Sequence, residues 1–379
     1  MIKKLLSPIY QFLQDSRAVG IVLIICTAFS LILANSAWQQ AYLACWDTVV
    51  HIPVPALHLP HTVLHWINDG LMVPFFFLVG MEIKREVTIG ELSSIRQSLL
   101  PVLAALGGML CPALIFSLFN GHTPYANGWG IPMATDIAFS LGILSLLGNR
   151  VPLSIKIFLT ALAIIDDLGA IIAIAIFYTA GLQLGYLLAA AVILLLLIIL
   201  NKTKVRPLWC YFIPGILLWY CIFNSGIHAT IAGVLLAACI PLPKISRLIH
   251  QLHDPVNFVI MPIFALSNTA IIFPADIWQS LNTSISYGIL AGLVIGKPLG
   301  IFLFSFLATR LRLASLPDGA SWGQMLGIGM IAGIGFTMSI FIATLAYTAA
   351  DWQITSKIAI IAASLLSGLI GYVFLRRSA

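Results

Sequence analysis

Four ionisable residues stand near the middle of long apolar runs, where charge is expensive. Asp166 and Asp167 are adjacent within the run 151–178, Asp136 lies in the run 124–147, and Lys297 lies in the run 285–308. A charged side chain at the centre of a bilayer costs about 2.5–3.5 kcal/mol on insertion scales, and such residues commonly mark proton or cation pathways. The pattern therefore predicts a proton or cation relay. A purely architectural buried polar cluster is the alternative interpretation.

The balance of charge favours exchange over a structural ion pair. Three acids face one base, so the surplus carboxylates need protons or a metal cation. Adjacent helix positions point about 100° apart, so we expect one of Asp166 and Asp167 to meet Lys297 and the other to face Asp136. Burial and neighbouring negative charge both favour the protonated form of a carboxyl group. Asp136, Asp167, the Thr135 hydroxyl and free carbonyl oxygens would then bind sodium when the protons leave.

The composition places these residues in a polytopic membrane protein. The chain has 379 residues, of which 60% are hydrophobic and 8% charged, whereas soluble proteins are about 25% charged. One spanning helix needs about 20 apolar residues, which predicts about twelve spans in an all-α fold. The apolar runs are 15–37, 64–83, 98–119, 124–147, 151–178, 183–200, 208–223, 226–243, 255–273, 285–308, 322–348 and 357–375.

The termini and the charge pattern predict the topology. Residues 1–14 resemble an interfacial amphipathic helix, not a cleaved signal. With twelve spans and the N-terminus inside, 17 of the 19 basic residues fall on the cytoplasmic side, with Lys357 outside and Lys297 within a span. The positive-inside rule then places both termini in the cytoplasm. The basic pI near 9.0 follows from this topology, so we expect a lipid bilayer as the partner and no nucleic acid.

Two runs contain helix-breaking residues at matching places. Pro132 precedes Thr135 and Asp136 in the fourth run, and Gly333 and Gly335 precede Thr337 in the eleventh. Runs 3–5 and 10–12 would enter the membrane from opposite sides, which predicts an inverted repeat with two interrupted helices, 4 and 11. Such paired interruptions point to a transport site at mid-membrane. Close packing of helices on small residues is the alternative reading of the glycines.

Several motifs resemble the bacterial NhaA-type sodium/proton antiporter family across nearly the whole chain. The matching segments are 80–86 (GMEIKRE), 134–139 (ATDIAF), 163–170 (AIIDDLGA), 296–300 (GKPLG) and 333–341 (GIGFTMSIF). The resemblance implies one transmembrane antiporter domain over residues 1–379, without a cofactor, in the bacterial inner membrane. It implies expulsion of sodium or lithium in exchange for protons, and the family is itself a known example of inverted-repeat architecture.

The resemblance also assigns roles to residues. The second aspartate of the pair, Asp167, and Asp136 would form the cation site, while Asp166 would pair with Lys297. A pH-sensing cluster would comprise Glu82, Arg85, Glu86, His250 and His253.

Two departures from the family pattern bear on regulation and assembly. Ile249 stands where family members often have an acid, which predicts a shifted or flatter pH profile. The family's external loop can form a dimerising hairpin, but Pro53, Pro55 and Pro60 remove strand donors here. The sequence therefore leaves open whether the protein forms a homodimer through this loop.

Two other functions use similar residues. An intramembrane aspartyl protease also needs two aspartates on neighbouring helices, but its Tyr-Asp and Gly-x-Gly-Asp motifs are absent and Lys297 has no role in it. A sodium-coupled solute symporter of related architecture stays open, because sequence alone does not reveal an organic-substrate pocket.

Overall fold

The computed structural model describes residues 18–51, 58–179, 181–274 and 276–378. The expected amphipathic segment 1–14, and Pro53 and Pro55, lie outside these ranges. The described residues contain no β-strand; one isolated antiparallel bridge joins Val49 and Thr62. The prediction of an all-α fold is confirmed.

The chain forms two compact units. The first unit comprises Met1–Cys26, Glu91–Ala170 and Ile272–Ala379, and the second comprises Thr27–Gly90 and Ile171–Ile271. Two helices, Ala18–Ala34 and Leu153–Phe177, run from one unit into the other. All four charged residues at mid-run depth belong to the first unit.

The first unit is built from long helices and two interrupted ones. Its α-helices are Ile95–Asn120, Ile137–Leu146, the greater part of Leu153–Phe177, Ile277–Leu281, Ser284–Arg310, Trp322–Ala332, Phe336–Ala346 and Ala350–Ser378, and a 3₁₀ helix spans Ala126–Met133. Within Ser284–Arg310 the turn Gly292–Gly296 is π-helical. We call Leu153–Phe177 the paired-aspartate helix, Ser284–Arg310 the lysine helix and Ala350–Ser378 the C-terminal helix.

The second unit contains the remaining helices. They are Gln39–Asp47, Val63–Ile89, Leu184–Lys202, Trp209–Phe223, Ile231–Cys239, Leu242–Pro255 and Met261–Asn268, the last two joined by a π-helical turn, Val256–Ile260. The helix Gln39–Asp47 was not predicted, because its nine residues are too few for a membrane-spanning run. The helix Leu242–Pro255 extends the ninth run toward its N-terminus. The apolar run did not include this helix because only one of its faces is apolar, with Ile245, Leu248 and Ile249 buried.

Helix length supports a membrane-spanning protein. Among the described residues, seven helices are long and apolar enough to cross a membrane, or up to nine if each bent pair counts as one span. Each of the twelve predicted runs contains a helix, although Ile231–Cys239, with 9 residues, is much shorter than the run 226–243. The helix is short because residues 224–230 form turns, which include His228 and Thr230.

Candidate functional site

The first interrupted span, Ala126–Leu146, changes conformation just before Asp136. Its 3₁₀ half, Ala126–Met133, contains Pro132, which has no N–H to continue a helical ladder. Ala134 and Asp136 are extended, with ψ of 151° and 103°, and the α-helical half starts at Ile137. The interruption therefore leaves helix ends inside the unit, where they need polar partners.

The second interrupted span consists of Trp322–Ala332 and Phe336–Ala346, which are bent by 47° across Gly333–Gly335. Glycine is required here by close approach: a β-carbon on Gly335 would lie 3.0 Å from the Ala134 carbonyl oxygen. The two interruptions thus pass each other in direct backbone contact.

Hydrogen bonds join the two interruptions reciprocally. The backbone N–H of Asp136 donates to the Ile334 carbonyl at 2.6 Å. Ser140 of the first span donates to the Ile331 carbonyl at 3.2 Å, and Ser339 of the second donates to the Ile131 carbonyl at 2.7 Å. Each span therefore satisfies carbonyl groups at the end of the other span's first half, as expected for an inverted pair.

Asp136 lies at the N-termini of both second halves. One carboxylate oxygen, Oδ1, accepts the Phe139 N–H at 3.1 Å and caps its own helix. The other, Oδ2, accepts the Thr337 N–H at 3.1 Å and the Thr337 hydroxyl. Asp136 is 2% exposed. Backbone dipoles favour negative charge at helix N-termini. Neutral hydrogen-bond donors and helix dipoles therefore stabilise this carboxylate.

Asp166 and Lys297 form a fully buried ion pair. The distance from Lys297 Nζ to Asp166 Oδ2 is 2.8 Å, and both side chains are 0% exposed. Lys297 also donates to the Met133 carbonyl, at the end of the first half of the first interrupted span. A cation is favourable at a helix C-terminus. Lys297 therefore stabilises the end of this helical half as well as the carboxylate of Asp166.

Asp167 is the third buried acid, with 2% exposure. It is next to Asp166 on the paired-aspartate helix and interacts electrostatically with Lys297. The unit thus brings three carboxyl groups and one ammonium group together within a buried core. Such an arrangement holds two net negative charges when all four groups are ionised, which two protons, or one proton and one monovalent cation, would neutralise.

A family model described as Na+/H+ antiporter 1 matches residues 10–375. The chain belongs to the Na+/H+ antiporter 1 family. A relative from Cytophaga hutchinsonii, named Na(+)/H(+) antiporter NhaA, is 52% identical over 371 residues, which cover 96% of this chain and 94% of the relative. A protein of the same name from Citrobacter koseri is 46% identical over 381 residues, which cover 97% of each chain. The resemblance found in the motifs is confirmed.

In this member of the Na+/H+ antiporter 1 family, glycines let the charged helices approach one another. A β-carbon on Gly108 would lie 2.9 Å from the Ile301 side chain and 3.8 Å from Lys297 Cε. A β-carbon on Gly107 would clash with the Gly300 carbonyl, and one on Gly169 with the Met109 sulfur. The helix Ile95–Asn120 therefore packs closely enough to fix the positions of both charged helices.

Thr135, which the sequence predicts as a cation ligand, lies beside the Asp166–Lys297 ion pair. Its hydroxyl lies 2.8 Å from Asp166 Oδ2 and 3.0 Å from the Ala332 carbonyl. It therefore supports the Asp166–Lys297 pair and the second interrupted span. Thr337, expected only as part of the interruption, contacts Asp136 directly. The sequence did not indicate which threonine contacts which aspartate, because both threonines lie at or next to an interruption.

The residues of the expected pH-sensing cluster all lie in the second unit. Arg85 and Glu86 form an ion pair at 3.0 Å, and Glu82 interacts electrostatically with both. His250 is exposed on the helix Leu242–Pro255, which packs against Val63–Ile89. His253 lies 3.6 Å from Asp254. The structure places the two groups on neighbouring helices, Val63–Ile89 and Leu242–Pro255.

Three contributors to the site are absent from the sequence prediction: Ser140, Ser339 and the Met133 carbonyl. The serines occupy matching places, each a few residues after an interruption, so the inverted pattern was the available signal. The carbonyl had no signal, because every residue carries one. Among the described residues, no three His, Cys, Asp or Glu side chains form a metal cluster.

Proposed function

We propose that this chain is a sodium/proton antiporter that expels sodium, and also lithium, from the cytoplasm in exchange for external protons. The observation that carries the proposal is the buried cluster of Asp136, Asp166, Asp167 and Lys297 beside two interrupted spans. Membership of a family whose model is described as Na+/H+ antiporter 1 supports it. The architecture fits transporters whose substrate lies at the meeting point of broken helices.

Asp136 and Asp167 bind the cation in this proposal. Both are buried, and Asp136 accepts hydrogen bonds from neutral groups: the Phe139 N–H, the Thr337 N–H and the Thr337 hydroxyl. Small hard cations favour oxygen ligands, and carboxylates in an apolar core release a cation readily once they are protonated. Protons and sodium thus compete for the same oxygens, which couples their movements in opposite directions.

Asp166 and Lys297 supply the counter-charge and hold the helix ends. Lys297 bonds to both Asp166 and the Met133 carbonyl, so its position follows any rearrangement of the first interrupted span. We expect the pair to change geometry between the sodium-bound and proton-bound states. Alternating access then arises from motion of the interrupted spans around a fixed site.

The remaining expectations concern setting and regulation. We propose a multi-pass protein of the bacterial inner membrane, with both termini cytoplasmic, that works as one transport domain over residues 1–379. We also propose that Glu82, Arg85, Glu86, His250 and His253 sense cytoplasmic pH, with Ile249 flattening the response. Homodimerisation stays a prediction.

The exchange is electrogenic in this proposal. If both cation-binding carboxylates are protonated in the return step, about two protons enter for each sodium that leaves, and one net charge moves inward. A potential of −100 mV then contributes about 2.3 kcal/mol per cycle. In proteoliposomes with a valinomycin-set potassium potential and no pH gradient, inside-negative voltage should drive sodium out. Sodium flux that ignores the voltage would establish one-for-one exchange.

The test of the function is sodium-dependent proton flux in proteoliposomes that contain no organic solute. Wild-type protein should move protons when a sodium gradient is applied and not when choline replaces sodium. Asp167→Asn and Asp136→Asn should each abolish the flux, whereas Asp318→Asn, at an exposed position in the same unit, should leave it unchanged. Wild-type flux in purified Asp167→Asn protein would refute the site. Flux that requires an added organic solute would instead support a symporter.

A further inference from the structure

The π-helical turn just before Lys297 leaves a backbone carbonyl without its usual donors. The Lys297 N–H donates to the Gly292 carbonyl, which is five residues earlier. In an α-helix that N–H would serve the Leu293 carbonyl, and in a continued π-helix the donor would come from residue 298. Residue 298 is proline, which has no N–H. Neither helical donor is therefore available to the Leu293 oxygen.

A buried hydroxyl without a partner lies beside the same point. Ser367, on the C-terminal helix, is 2% exposed, and its Oγ has no hydrogen-bond partner among the described residues. A β-carbon built on Gly333 would clash with the Leu293 carbonyl oxygen and would lie 2.8 Å from Ser367 Oγ. The donor and the acceptor thus flank the interruption of the second span from two other helices.

The Ser367 hydroxyl has no partner among the described residues, and the Leu293 oxygen lacks both of its usual helical donors. A buried hydroxyl and a buried carbonyl are both costly when unpaired, and a serine hydroxyl reorients by rotation about one side-chain bond. A single water joins such groups where direct contact falls short. Glycine at position 333 keeps the space between them open.

We propose that Ser367 is a positioning residue for transport: its hydroxyl donates to the Leu293 carbonyl, directly or through one water, across Gly333. This link ties the π-helical turn that precedes Lys297 to the C-terminal helix, beside the interruption of the second span at Gly333. The proposal rests on the antiport function above and adds a residue to it. Ser367 acts through Lys297 and not on the cation.

The expected consequence follows from the charges around Lys297. Among the described residues, the buried charged groups on the neighbouring elements are Asp166 and Asp167 on the paired-aspartate helix, Asp136 on the first interrupted span and Lys357 on the C-terminal helix. A lysine that is held less firmly stabilises the ionised acids less. Sodium then competes less well with protons, so half-maximal exchange moves to more alkaline pH.

The experiment compares four variants with the wild-type protein in sodium-driven proton flux across a pH series. Ser367→Ala removes the hydroxyl, and Ser367→Cys keeps its approximate volume with a weak donor. Both should raise the sodium concentration for half-maximal exchange at fixed pH by about two- to tenfold, the value of one neutral hydrogen bond, and both should shift the pH profile. Ser305→Ala is the matched control.

Ser305 suits this purpose because it is also fully buried, its hydroxyl also has no partner, and it shares a helix with Leu293. It is twelve residues from Leu293, or about 18 Å along the helix axis. It should keep the wild-type profile. Ser367→Thr, which restores a hydroxyl, should recover the wild-type pH profile if it folds.

The outcomes separate two failures. If wild-type protein shows no sodium-dependent flux, the proposed antiport is wrong. If wild-type and Ser305→Ala proteins transport and both Ser367→Ala and Ser367→Cys keep the wild-type profile, the positioning role alone is wrong. Equal shifts in Ser305→Ala and Ser367→Ala would show a general packing effect and would also overturn it. For a variant that fails to transport, thermal stability with and without sodium distinguishes misfolding from lost coupling.

Discussion

Asp136 and Asp166 are both buried acids beside the same pair of interruptions, yet they are held in opposite ways. Asp136 accepts bonds from two backbone N–H groups and one hydroxyl, all of them neutral. Asp166 is paired with the ammonium group of Lys297 at 2.8 Å. We call these the Asp136 cradle and the Asp166–Lys297 pair.

The difference separates two tasks. The cradle tolerates a change of charge, because its neutral donors satisfy a carboxylate without requiring a counter-ion. The pair does not tolerate loss of either member, because removing one partner leaves an uncompensated buried charge. An exchanger needs both: groups that gain and lose protons, and a charge pair that keeps the helix ends in place meanwhile.

The sharpest test of this contrast is the stability of Lys297→Ala. Breaking a buried ion pair typically costs about 3–5 kcal/mol, and the Met133 carbonyl loses its donor as well. We expect a large fall in the melting temperature of the detergent-solubilised protein. The double variant Lys297→Met with Asp166→Asn removes both charges and should recover much of that loss. A melting temperature of Lys297→Ala equal to that of wild type would break the comparison.

Thr337→Val probes the cradle from the side of the second interrupted span. The valine keeps the shape and the backbone N–H but loses the hydroxyl bond to Asp136. A hydrogen bond to a charged group contributes about 1.5–3 kcal/mol, so we expect a moderate fall in thermal stability and weaker sodium affinity. Thr337→Ser keeps the hydroxyl and serves as the control. The prediction fails if the valine and serine variants bind sodium equally well in calorimetry.

Asp136→Asn should cost less stability than either of these changes, although we expect it to abolish exchange. Asparagine is a good helix cap, and a weakened cap costs about 0.5–2 kcal/mol. Thermal melting of Asp136→Asn beside Lys297→Ala measures the contrast directly. A larger loss for Asp136→Asn than for Lys297→Ala would reverse our assignment of the two regions.

The smallest effects are expected at the two reciprocal serines. Ser140→Ala and Ser339→Ala each remove one neutral bond between the interrupted spans. Side-chain hydrogen bonds between membrane helices contribute about 0.6 kcal/mol on average. The two variants should therefore lower the melting temperature slightly and by similar amounts. Markedly unequal losses would show that the inverted arrangement is not energetically symmetric.

The fold and the charged residues were predictable because they rest on strong constraints. Burying Asp136, Asp166, Asp167 and Lys297 in apolar runs leaves few alternatives to a shared polar core. Pro132 and the glycines at 333 and 335 signalled the interruptions in the same way, through backbone chemistry that residue type alone reveals.

The rest depends on geometry that residue type does not encode. Thr135 and Thr337 both lie at or next to an interruption. Only the way in which the two interrupted spans cross decides that Thr135 contacts Asp166 and that Thr337 contacts Asp136. The helix Gln39–Asp47 was not predicted because its nine residues are too few for a membrane-spanning run. The only sign of the π-helical turn before Lys297 in the sequence is the proline at position 298.

In the proposed antiport, sodium and protons compete for the cradle and Asp167 while the Asp166–Lys297 pair supplies counter-charge. The most direct measurement is proton release on sodium binding, followed with a pH indicator in weakly buffered, purified protein. We predict that sodium releases about two protons per ion from wild-type protein, since each ligating carboxyl must ionise. We predict no release from Asp136→Asn or Asp167→Asn. Sodium binding to wild-type protein without proton release, or undiminished release from either variant, would contradict the account.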